Sequence, residues 1–185
     1  MLHLTHCISG QPEVGRLIEN WGGGILSCDF CIEQTEWRGT ETDCTYRPNS
    51  WTGIHDPILD FRLASQSGQL HAINWSVTNI QFDGLPDLLP TRRHQKGIPF
   101  FDLSAWSGKL NLFEDHELRV SWTSAGDLLI CFTDGIPKVV LEVEVGDTLS
   151  LLFDSCDCLA GTLFRSLSKV DKLVIEQISW PAMIL

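Results

Sequence analysis

The stretch "VVLEVEV", residues 139–145, constrains the fold of this chain more than any other. Val139, Leu141, Val143 and Val145 fall on one side, and Glu142 and Glu144 on the other. A strand with one face in a core requires that alternation. Neighbouring segments repeat it. "ELRVSW" aligns Leu118, Val120 and Trp122, "DLLICF" aligns Leu128, Ile130 and Phe132, and "TLSLLF" aligns Leu149, Leu151 and Phe153. The connectors "TSAG" (123–126), "DGIP" (134–137) and "GD" (146–147) carry the glycine and proline that tight turns use. The spacing predicts a four-stranded antiparallel meander over residues 117–153.

Upstream, "ILDFRLASQSGQLHAINW" predicts a hairpin with "SQSG" at its tip. "FFDLSAWSGKLNLF" carries similar turn grammar, with Trp106 beside the tip, and "FEDHEL" reads as a polar hairpin turn. Helical candidates are few. "PEVGRLIENW" (12–21) fits two turns stopped by three glycines. "SKVDKLVIEQI" (168–178) is ambiguous: Ser168 and Asp171 resemble a capping box, while its β-branched content favours a strand, the reading adopted here. Residues 82–100, with three prolines and the basic tip "TRRHQK" (91–96), read as a long irregular segment. The expected fold class is mainly β, with α+β the alternative. The architecture is an antiparallel meander sheet or barrel-like sandwich with one or two short helices, and residues 1–185 form one globular domain.

The net charge of −11 repels phosphate backbones and lipid headgroups, so neither nucleic acid nor membrane is an expected partner. It favours rapid encounter with a basic protein. The first residues show neither a basic segment nor a continuous apolar one of the secretory kind, and the seven cysteines are odd in number and irregular in spacing. Reduced thiols in a cytoplasm are the expectation.

Cys28 and Cys31 form a C-x-x-C, the chain's one obvious chemical motif. Residues 25–32 alternate, however, so the two thiols point to opposite faces of a strand and cannot share an ion. The intervening Asp29-Phe30 lacks the tight-turn chemistry of a zinc knuckle, and no helix follows to activate a redox cysteine. No metal or other cofactor is therefore expected. The runner-up ligand set is Cys28, Cys31, Cys44 and His55, with "DSCDC" (154–158) as a satellite thiol pair. His55-Asp56 and Asp115-His116 are neighbours that diverge on strands, so neither makes a dyad. Glycine-rich phosphate loops and nucleophile elbows are absent from the sequence.

Three functions compete. The first is a small acidic binding protein that occludes a basic protein, of the kind of a bacterial toxin-neutralising immunity protein. Asp29, Glu33, Glu142 and Glu144 would steer such a partner, and Trp106 would anchor it. The second is an enzyme with a dispersed, metal-assisted site. The third is a sugar- or small-ligand-binding β domain that uses some of the seven tryptophans.

Overall fold

The computed structural model describes residues 1–20, 25–33, 40–47, 58–77, 93–104, 113–132 and 139–178. The described strands are β1 (His3–Ser9), β2 (Val14–Asn20), β3 (Leu26–Ile32), β4 (Glu41–Arg47), β5 (Ile58–Ala64), β6 (Leu70–Val77) and β7 (Arg93–Asp102). They continue with β8 (Phe113–Asp115), β9 (Leu118–Trp122), β10 (Leu128–Phe132), β11 (Leu141–Val145), β12 (Leu149–Phe153) and β13 (Leu159–Phe164). A single described helix, α1 (Lys169–Ile178), follows.

The strands form two sheets, ordered β1-β7-β11-β12-β13-β10-β9 and β2-β3-β6-β5-β4-β8. Most pairs are antiparallel, while β7–β11 and β4–β8 are parallel. The sheets face each other as a sandwich rather than a closed barrel. Phe30 of β3 stacks on Phe164 of β13 with centroids 4.3 Å apart, and Tyr46 of β4 meets Phe132 of β10 at 4.6 Å. One apolar cluster runs between the sheets, through Phe61 and Trp75 from one and Val143, Leu151 and Phe153 from the other. The predicted alternation holds within β11, where Leu141, Val143 and Val145 all belong to this cluster. Val139, expected on the same side, packs instead against a separate cluster of Leu129, Cys131, Leu152 and Leu163, because the regular strand begins only at Leu141.

The 58–77 hairpin is present, with β5 and β6 paired in antiparallel register. Gly68 at its tip, at φ +72°, joins the two sheets: its carbonyl accepts the Phe101 N–H at 2.9 Å. A Cβ at Gly68 would lie 1.9 Å from the Phe101 carbonyl oxygen, so only glycine fits there.

Several expectations need correction. The four strands of 117–153 exist, but they do not form a meander. β10 pairs with β13 instead of β11, and β13 also pairs with β12. The order β11-β12-β13-β10 is a Greek key, made because β13 inserts between the two predicted hairpins. Residues 14–20 form strand β2, not a helix. Val14 and Ile18 lie on one side under either period, and pairing along β3 satisfies the backbone, leaving Leu17 52% exposed. Residues 169–178 form α1 rather than a strand. The capping box is made in both directions: Ser168 N–H donates to Asp171 Oδ2 at 2.8 Å and Asp171 N–H to Ser168 Oγ at 3.1 Å.

Residues 93–100 are part of β7, so the basic "RHQK" lies in a strand in register with β11 rather than on a loop tip. "FEDHEL" is not a hairpin turn either, because β8 and β9 belong to different sheets and the segment crosses between them. Of the "SAWSG" tip all but Ser104 lies outside the described residues, and the strands flanking it, β7 and β8, join different sheets instead of pairing. No described helix is long and apolar enough to cross a membrane.

Candidate functional site

Among the described residues, the outer face of the six-stranded sheet carries a concentration of polar side chains around a recess. β3 sends Leu26, Cys28, Phe30 and Ile32 into the core, and so turns Asp29 and Cys31 outward. β6 buries Ile73 and Trp75 and turns out Ala72 and Asn74. β5 buries Leu59, Phe61 and Leu63 and turns out Asp60 and Arg62, while β4 buries Cys44 and Tyr46 and turns out Asp43 and Thr45. Directly paired residues share a face. One row therefore reads Asp29–Asn74–Asp60–Thr45 across four strands, and the next reads Cys31–Ala72–Arg62–Asp43.

These rows line a concavity of about 230 Å³ bounded by Asp29, Cys31, Asp43, Asp60, Arg62, Ala72 and Asn74. The alanine leaves the space that a larger side chain would fill. A hydrogen-bond chain fixes one wall. Ser76 Oγ donates to Asn74 Oδ1 at 2.9 Å, and Asn74 Nδ2 donates to Asp29 Oδ1 at 2.6 Å and to Ser27 Oγ at 3.1 Å. Ser27 Oγ in turn donates to Asp29 Oδ2 at 3.2 Å. On the other wall Thr45 Oγ1 donates to Asp60 Oδ1 at 2.5 Å.

The charge is unbalanced. Three carboxylates face one guanidinium, and Arg62 also lies 3.5 Å from both Glu41 and Asp43, which share it. Burial raises the Asp60 pKa above the ordinary carboxylate value; the Asp43 charge adds to the rise, while the Thr45 hydroxyl and Arg62 oppose it. The site can offer carboxylate oxygens held at fixed positions to a cation.

The remaining predicted site residues fall in three places. Glu33 is exposed just beyond β3, its N–H bonded to the Glu13 carbonyl at 2.9 Å. Glu142 and Glu144 lie on the outer face of the seven-stranded sheet, on the opposite side of the sandwich from Asp29. Neither is a free outward charge. Glu142 is buried against Arg165, and Glu144 accepts from Lys96 Nζ at 2.6 Å and meets His94 Nε2 at 3.1 Å. The Lys96 hydrogen bond holds the Glu144 pKa down, against a smaller opposing effect of burial. Trp106 lies outside the described residues.

Of the runner-up metal set, Cys28 and Cys44 are buried in the core and Cys31 is exposed on the other side of its sheet, while His55 lies outside the described residues. The described side chains of that set do not converge. Burial pushes the Cys28, Cys44 and Cys131 thiols up to about 12, which leaves them protonated and inert. Trp75 is fully buried in the core between the sheets.

No protein family matches this chain, and no curated protein matches it. Asp43, Asp60, Arg62 and Asn74 were not singled out by sequence reasoning. Each stands at an outward position of an alternating segment, and that phase was the available signal.

Proposed function

We propose that this chain is a binding protein whose Asp29/Asp43/Asp60 concavity receives an arginine or lysine side chain from a basic protein partner. The observation that carries the reading is the three carboxylates lining a single recess that holds one shared guanidinium. A pre-ordered wall supports it, because Asn74 and Ser27 hold Asp29 in place before any partner arrives. Binding then loses little side-chain freedom on this side. The net charge of −11 adds long-range attraction that raises the association rate.

In this reading the protein is an inhibitor that occludes a basic surface, in the manner of a bacterial immunity protein neutralising a toxin. Its seven free thiols support a cytoplasmic setting.

Titration of the full chain with a short arginine-rich peptide, and with a glutamate-rich one of equal length, tests the reading. Saturable binding of the arginine peptide that weakens with salt and is lost in Asp29→Asn/Asp43→Asn supports it. Equal binding by the double variant, or a preference for the glutamate peptide, overturns it.

A further inference from the structure

The thiol pair of "DSCDC" lies on the turn between β12 and β13, away from the acidic concavity, and has chemistry of its own. Asp154 Oδ1 accepts the N–H groups of Cys156 at 2.8 Å and Cys158 at 3.0 Å, so the turn is ordered around both cysteines. Asp157, between them, has φ +57°. An extended Cys-x-Cys segment would hold its Cα atoms about 7 Å apart. The left-handed Asp157 curls the chain and shortens that separation, in the direction of the roughly 4.4–6.8 Å span that a disulfide needs. Cys156 is exposed and Cys158 half-buried, so small molecules can reach the pair.

A base stands beside it. His3 of β1 pairs with Cys158 in an isolated antiparallel bridge, and its Nε2 lies 3.3 Å from the Cys158 Sγ. Burial, then the charges of Asp154 and Cys156, hold the Cys158 thiol above its ordinary value. A nucleophile so placed needs a neighbour to take its proton.

We propose that Cys156 and Cys158 form a reversible dithiol–disulfide site, served by His3 as base and oxidised by low-molecular-weight disulfides. The Cys158 proton passes to His3 as Sγ attacks one sulfur of the external disulfide. The S–S bond breaks, a mixed disulfide forms on Cys158, and the first small thiolate leaves and takes up that proton. Cys156 Sγ then attacks the Cys158 sulfur. The second small thiol departs with the Cys156 proton, and the protein ring closes. Two electrons pass from the cysteine pair to the external disulfide, which ends as two thiols. The carboxylates Asp154 and Asp157 on the turn, and Asp102 opposite His3, favour a cationic oxidant over an anionic one. Arg93 offsets part of that charge by pairing with Asp157 at 2.8 Å.

The test is reaction of the reduced full chain with cystamine, followed by intact mass and peptide mapping. The expected product has lost two hydrogens from the peptide containing Cys156 and Cys158, and oxidised glutathione gives it more slowly. Cys156→Ser should stop at the mixed disulfide on Cys158. His3→Gln should slow the first step roughly tenfold or more. A mixed disulfide that accumulates equally on the unmodified chain and on Cys156→Ser overturns ring closure. An unchanged rate in His3→Gln overturns the role of the histidine.

Discussion

Asn74 Nδ2 stands 2.6 Å from Asp29 Oδ1, and the Asn74 backbone lies in register with both Asp29 and Asp60. A neutral amide thus separates two carboxylates in one row of the sheet. It donates to one of them and adds no charge of its own to the row. Asn74→Asp would remove the donor and set three like charges in line. The variant is expected to lose roughly 2 kcal/mol of stability near neutral pH, with much of the loss reversed in acid. Urea denaturation at two pH values measures it.

Asp60 predicts a pH dependence of opposite sign to the usual surface carboxylate. Its folded-state pKa is raised, chiefly by burial, so the folded chain holds this proton more tightly than the unfolded one. Its contribution to stability is fully present below the unfolded value, about 3.9, and is lost as pH rises through the higher folded value. Asp60→Asn keeps an oxygen to accept the Thr45 hydroxyl and removes the charge. The variant should be more stable than the parent at neutral pH, with the advantage vanishing in acid, and should bind the arginine peptide more weakly. Thermal melts across pH, with peptide titration at neutral pH, check both halves.

The two outer faces of the sandwich should behave differently. Glu144 is already paired with Lys96, whereas Asp29 faces the shared recess. Glu144→Gln should leave the association rate with a basic peptide nearly unchanged, and Asp29→Asn should lower it severalfold. Stopped-flow measurements at low salt are the appropriate comparison, since screening at physiological ionic strength acts over about 8 Å. Equal effects from the two substitutions would disagree with the placement of the site.

Gly68→Ala isolates the link between sheets. The added methyl meets the Phe101 carbonyl, and a left-handed φ of +72° strains any side chain. A loss of about 2 kcal/mol or more is expected, with the denaturant slope unchanged. Ser65→Ala, at the same hairpin tip, serves as the control. It removes a hydroxyl hydrogen bond to the Thr40 carbonyl at 2.7 Å and should cost about 1 kcal/mol.

Facing was legible in the sequence because it is local. Successive side chains of a strand point apart whatever the strand pairs with, so Cys28 inside and Cys31 outside, or Val143 inside and Glu144 outside, follow from position alone. The capping box of α1 was equally local, and Ser168 and Asp171 were visible before the helix was. Partner choice belonged to the tertiary structure. Backbone hydrogen bonds carry no sequence label, so nothing in "DLLICF" says that β10 will take β13 and refuse β11. The acidic recess depended on that same decision, since Asp29, Asp60 and Asp43 come from three strands and meet only in the order β3-β6-β5-β4. Residues 14–20 and 169–178 show the remaining limit. Their aliphatic spacing suits two periods, and packing against β3 in one case and against the sandwich in the other selected between them.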